Sequence, residues 1–297
     1  MRLDSFTSIW VAAPAWALAV LATGTAHAAG QFEQTVAADP KGSVEISNVN
    51  GRIEVEGWDQ KQVSISAYIE DHQKVEVSTD RGRISITVRP PGETDLKVKV
   101  PRGSEVDISA VTADVTSTGV QGAQRLRTVG GSIEADIGQA DIEAKTVSGE
   151  VVLHGQGGKP AQLHLSSISG SIRLEHGAGD LEANTTSGTL RVELDTARTV
   201  HMRTISGEVS LRGKLTKDAD VDAQTVSGSI KMHTDSDSGF EYDVSSFSGD
   251  IDDCFNVKPE RTSQYGPGHR LSGSLGKGSA HVRLKTMSGG IDLCDKP

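Results

Sequence analysis

An eight-residue phrase occurs seven times between residues 146 and 293. It first reads Thr146-Val147-Ser148-Gly149-Glu150-Val151-Val152-Leu153, and it comes back at Ser167, Thr185, Thr204, Thr225, Ser246 and Thr286, with looser copies at Asn48 and Thr128. Its glycines from position 131 onward, at 131, 149, 170, 188, 207, 228, 249 and 289, are spaced by 18, 21, 18, 19, 21, 21 and 40 residues. After each glycine the second residue is apolar, and after all but Gly249 the fourth is too, as in Val151 and Leu153 or Ile172 and Leu174, whereas the first and third vary. Alternation with period two is the signature of a strand with one buried side. A second alternation precedes each phrase, as in Ile142 and Ala144, Leu163 and Leu165, and Val200 and Met202. Each repeat therefore supplies two short strands, neither of which can bury its apolar side alone. Stacking the repeats about 4.8 Å apart pairs every backbone group with the copies above and below. The chain is expected to be all-β, a single-stranded parallel β-helix or β-solenoid with coils of about 20 residues, right-handed because strand twist has a fixed hand.

Within each coil the Ser-Gly pair marks a corner, where glycine is expected to supply a backbone conformation that a Cβ would penalise. The Thr or Ser three residues before that glycine should form a ladder of hydroxyls bonded to one another or to the corner backbone. The same grammar runs through residues 29–127 with longer insertions, and Gly51, Gly82 and Ala113 stand at corner-like positions. This divides the chain into a leader at 1–28, irregular opening coils that cap the array at 29–127, and regular repeats at 128–297 with an insertion near 256–278. Cys254 and Cys294 each lie five residues after a corner glycine. If the 40-residue step is one coil with a loop, they stack within disulfide range; if it is two coils, they do not. The single coil and a Cys254–Cys294 bridge, open to an exported chain, are expected. Asp253 interrupts an aliphatic column, so the register is expected to shift there. Asp292, Asp295, Lys296 and Pro297 are expected to blunt an exposed final edge.

The first residues have a different character. Arg2 precedes a short apolar run, Ile9 to Ala22, and Ala26-His27-Ala28 follows as a small-x-small cleavage pattern. A run of about 14 residues falls short of the roughly 20 that span a bilayer. The expectation is an exported chain cut after Ala28, in the periplasm or at the cell surface, with no membrane span in the mature part. Against 30 Lys and Arg stand 40 Asp and Glu, a net charge of −10, which excludes a non-specific grip on nucleic acid. Aromatic residues are only 4% of the chain and glycines number 33, favouring tight turns around small aliphatic side chains.

The Thr-x-Ser-Gly-x-Ile-x-Leu units resemble those of the bacterial "putative adhesin" family, exported or surface β-solenoids of unknown function. Asn48-Val49-Asn50-Gly51-Arg52-Ile53-Glu54-Val55 is similar to that family's first coil, and Val98-Lys99-Val100-Pro101-Arg102-Gly103 to the step before its regular coils. The resemblance spans roughly residues 32 to 294 and implies an adhesin-like fold but no catalytic residue.

The remaining question is whether the outer surface carries chemistry. Eight residues before the corner glycine, a column reads Asp141, Gln162, Asp180, Thr199, Asp220, Glu241 and His281. Asp141, Asp180 and Asp220 fall two coils apart, about 10 Å, beyond the usual separation of a glycosidase pair, while Asp220 and Glu241 are expected to be neighbours. This is read as a solvated acidic face. Seven acidic residues between Met232 and Val257 follow no calcium-loop spacing. His154, His164, His176, His201 and His233 form no metal-ligand pair, and no nucleophile elbow is present. Outward hydroxyls at the corners would suit an ice- or glycan-facing array. The expected function is a non-catalytic envelope or surface module that binds a glycan or surface protein through an extended face, without a cofactor. A carbohydrate-active β-helix enzyme, lyase or hydrolase, and a periplasmic signalling scaffold are the alternatives.

Overall fold

The computed structural model describes residues 30–70, 72–155, 161–234, 239–253, 257–262 and 266–293. The leader, Cys254, Cys294, Asp295, Lys296 and Pro297, and Asp235 and Asp237 of the acidic stretch, lie outside them. Among the described residues every regular element is a strand. Each repeat runs along a first face before its corner glycine and along a second face after it. On the first face Gln124–Arg127, Ile142–Lys145 and Ala161–Ser167 lie parallel in that order, and on the second Ile133–Ile137 pairs with Val151–Gly155. Further along, Ile172–Thr185, Leu190–Ser206 and Val209–Ser227 run from one face to the other without a break.

The apolar columns meet between the faces. Ile172 pairs with Leu190, Leu190 with Val209, and Val209 with Ile230, and all four are fully buried. From the first face Ile142, Leu163, Leu181, Val200 and Val221 complete the interior. Polar groups are built into it too: the Ser117 hydroxyl donates to Gln124 Oε1 at 2.6 Å, and Gln124 Nε2 donates to the Asp136 carbonyl at 2.9 Å. Buried polar groups satisfied in this way carry little penalty.

The levels do not stack in chain order at either end of the array. Ser43–Asn48 lies between Arg83–Arg89 and Glu105–Ala110, and Asn50–Trp58 between Glu93–Pro101 and Asp114–Thr118. The second level in sequence is thus the outer one. Its corner position beside Gly51 is held by Thr94, whereas Gly82 sits in a hairpin turn at φ +82°. Gly82 is not a corner glycine. Gln62–Ile69 and Lys74–Asp80 cover this end as antiparallel strands, with Gly30–Ala37 beyond.

The other end is swapped in the same sense. Ala280–Ser288 inserts between Val209–Ser227 and Phe240–Ser248, and Ile291–Asp292 between Ile230–Thr234 and Ile251–Asp252. Asp292 therefore lies inside the array and blunts no final edge. The edge strand is Phe240–Ser248, covered by antiparallel His269–Leu275 from the insertion. The pairing holds its register through Asp252, so no shift precedes Asp253.

The corner hydroxyls point inward. Thr128, Thr146, Ser167, Thr185, Thr204, Thr225, Ser246 and Thr286 are all buried, which rules out an outward hydroxyl array on this column. Thr146 Oγ1 donates to the carbonyl of Gly131 one level below at 3.1 Å and accepts from its own Gly149 N–H at 3.0 Å. Ser167 does the same with Gly149 and Gly170. At the later levels the glycine N–H turns instead to the next level's serine, as Gly207 N does to Ser227 O at 3.1 Å.

Conformation is not what demands glycine at most of these corners. Of those from 131 onward only Gly289 has a positive φ. The constraint is close approach: a Cβ on Gly149 would stand 1.8 Å from Gly131 O, and one on Gly170 1.8 Å from Gly149 O.

Candidate binding face

Three rows of side chains leave the first face, at eight, six and four residues before each corner. In the row eight before, the stack order is Asp141, Gln162, Asp180, Thr199, Asp220, His281 and Glu241. Because the last level is tucked inward, His281 stands between Asp220 and Glu241, which are not neighbours. Asp141 accepts from Gln162 N at 3.0 Å. Asp180 is held by Arg198, whose hydrogen bonds keep its carboxyl below the usual carboxylate range. His281 lies 3.3 Å from Glu241. A basic or hydrogen-bonding partner therefore engages three of these four carboxylates, and Asp220 is solvated.

The row six before the corner is one that the chain order conceals. In space it runs Glu45, Asp107, Arg125, Glu143, His164, Glu182, His201, Asp222, Arg283, Asp243. Glu45 and Asp107 stack as a like-charged pair, and the alternation starts at Asp107. Carboxylates alternate with bases across nine levels. Directly opposed like charges destabilise a sheet and opposite ones support it, so the alternation follows from stacking at about 4.8 Å. His164 and Glu182 are 3.7 Å apart, and Arg283 and Asp222 3.5 Å. Asp243 receives both Nε and Nη2 of Arg270 at 2.9 Å. Glu143, gripped by Lys145 and Arg127, is held below the ordinary carboxylate range chiefly by the Lys145 hydrogen bond.

Two open depressions interrupt this face. One, of about 590 Å³, is lined across four levels by Gln124, Arg125, Asp141, Glu143, Gln162 and His164 among others. The second, of about 420 Å³, lies at the insertion among Asp220, Glu241, Asp243, His281 and Arg283, with Ser272 and Ser274 opposite. Tyr242 borders it; burial, then the Asp253 carboxylate, pushes its phenol up. On the second face His154 sits between Glu175 at 3.1 Å and Glu134 at 3.3 Å. His176 is raised by its hydrogen bond to Asp195. Among the described residues no three His, Cys, Asp or Glu side chains converge as metal ligands. Nor is any helix there long and apolar enough to cross a membrane.

The model of the family described as Toastrack DUF4097 matches residues 33–294. No curated protein matches the chain. Among solved structures the chain is similar to a "putative adhesin" of Bacteroides fragilis, at 12% identity and TM-score 0.45, over 89% of this chain and 96% of that one. It is also similar to a "putative lipid binding protein" of Parabacteroides distasonis, at 13% identity and TM-score 0.46, over 89% and 96%. A "putative adhesin" of the same organism has 9% identity and TM-score 0.39, over 89% and 97%.

Proposed function

Because the chain belongs to the Toastrack DUF4097 family, we propose that it is an exported, non-catalytic, adhesin-like module of the periplasm or cell surface. It engages an envelope glycan or a surface protein along its first face. The observation that carries this reading is the nine-level alternation of carboxylates and bases, a polar surface repeating every level and broken only by open depressions. Such a face offers many weak polar contacts to an extended partner, which is how repeat arrays use their length. A glycosidase needs two free carboxylates at a fixed short distance in a walled cleft; here most are engaged by neighbours. The residues before Ala28 support export.

The same proposal covers the finer geometry. Parallel partners such as Ile133 with Val151 and Val151 with Ile172 support coils of about 20 residues, and the hand of strand twist supports a right-handed winding. A leader at 1–28 precedes the array, which comprises the capping coils at 29–127 and the repeats at 128–297. Pairing of Ile251 with Ile291 and of Asp252 with Asp292 supports a Cys254–Cys294 bridge, which thiol titration of the unreduced, denatured chain would find as an absence of free thiol.

The test is a glycan and cell-wall array probed with the purified chain, with release of reducing ends followed in the same wells. Binding without release, retained in Asp220→Asn, is the expected result. Turnover that Asp220→Asn abolishes would replace the proposal with a carbohydrate-active enzyme.

A further inference from the structure

Two residues before each corner the side chain points to solvent, and at nearly every level it is apolar. In stack order this column is Val49, Val111, Val129, Val147, Ile168, Thr186, Ile205, Val226, Met287 and Phe247. Backbone hydrogen bonds tie the levels directly: Val129 N donates to Val111 O at 3.0 Å, and Thr186 N to Ile168 O at 3.2 Å. Ile205 is 53% exposed, Met287 54% and Phe247 60%. Ten levels about 4.8 Å apart make a ridge roughly 45 Å long. A contiguous apolar strip of that extent marks an interaction surface, whereas isolated exposed residues do not.

The two flanks of the ridge differ in sign. Four residues before the corner the row holds Arg127, Lys145, Arg203 and Lys285 and no acid. One residue after the corner the other flank holds Asp114, Glu150, Glu208 and Asp250, with Arg52 its one base. We propose that the ridge is the interface of a parallel homodimer in which a second copy of this chain packs ridge to ridge, level against level. A two-fold axis parallel to the stack sets each copy's cationic row against the other's acidic row. Arg203 then meets Glu208 of the second copy at the same level, a carboxylate that also holds its own Lys231, and Lys145, held by its own Glu143, meets a Glu150 that lies 3.7 Å from its own Arg173. A two-fold axis across the stack would set cations against cations, and a planar anionic surface would meet both flanks at once, so the charge pattern selects the parallel pair. Ridge and flanks together cover a strip roughly 20 Å wide, about 900 Å² per copy, close to the standard size of a specific interface. An in-register two-fold contact closes on itself and forms no filament.

Thr186 shows that a threonine is accommodated in this column, so the test uses the same residue. Sedimentation and light scattering of the purified chain across about 1–100 µM should show a dimer, and Val147→Thr, Ile168→Thr, Ile205→Thr and Val226→Thr together should weaken it at least about tenfold. Arg203→Glu should weaken the dimer, and adding Glu208→Arg should restore it; neither change touches the core. Val129→Cys should yield a self-linked dimer on oxidation, because the parallel pair sets Val129 against its own copy and the antiparallel one sets it against Val226. A chain monomeric throughout the range, a fourfold variant that still dimerises, or a Val129→Cys variant that fails to self-link overturns the proposal. So does a monomer that floats with phosphatidylglycerol vesicles unless the ridge is substituted, which would assign the ridge to a membrane.

Discussion

Replacing Thr146 by valine removes one hydroxyl and almost no volume, so it isolates the corner ladder from packing. The lost oxygen serves two backbone groups, the Gly131 carbonyl at 3.1 Å and the Gly149 N–H at 3.0 Å. Both are buried between levels, and an orphaned buried polar group costs about 1–3 kcal/mol. Some relaxation offsets a fraction of this, so the expected loss is about 2–4 kcal/mol. Thr204 supplies the internal control. It occupies the same column and is equally buried, yet its hydroxyl has no hydrogen-bond partner among the described residues, while Gly207 N is satisfied by Ser227 O. Thr204→Val removes an unpaired buried polar atom and should be neutral or stabilise by up to about 1 kcal/mol. Urea unfolding followed by circular dichroism measures the two differences, and exchange of the Gly149 amide locates the first. Equal effects at the two positions, or a loss under about 0.5 kcal/mol at Thr146, would refute the ladder argument.

Neighbouring glycines should separate in the same assay. A Cβ at Gly131 would stand 2.0 Å from the Ala113 carbonyl oxygen, whereas one at Gly130 meets nothing nearer than the Thr112 methyl at 3.4 Å, so Gly131→Ala should cost over about 3 kcal/mol and Gly130→Ala under about 1. Glu143, depressed first by its hydrogen bond to Lys145, adds stability above the ordinary carboxylate value and loses it as pH falls through the folded value. Lys145→Gln should therefore raise the Glu143 titration midpoint in carbonyl NMR and shrink the acid limb of the stability curve. His176, raised by Asp195, contributes below the ordinary histidine value and stops contributing as pH rises through the folded one. Asp195→Asn should bring its NMR midpoint back down.

The middle of the array was legible for a simple reason. Steps of 18 to 21 residues leave no spare chain, so neighbours in sequence must be neighbours in the stack, and Ile172, Leu190, Val209 and Ile230 follow as rungs. Longer steps relax that constraint, and both swaps occur where the chain had length to cross a level. A trace of the second swap was available in the charges. In chain order Asp222 would stack on Asp243 and Asp220 on Glu241; inserting the last level puts Arg283 and His281 between them. The role of the corner glycines was hidden for another reason, since a carbonyl approaching from the next level leaves no mark on local conformation. The apolar ridge was present in every phrase except the one with Thr186, but a valine between a buried threonine and an exposed serine has no direction until the corner is built.

The inward-tucked final level alters how the molecule would come apart. Stacked repeats ordinarily fray from their ends, one ladder at a time. Ala280–Ser288, however, is bonded to a strand on each side, so withdrawing the tail must break both ladders at once. Tension along Ala280–Ser288 would load both rows of hydrogen bonds in shear.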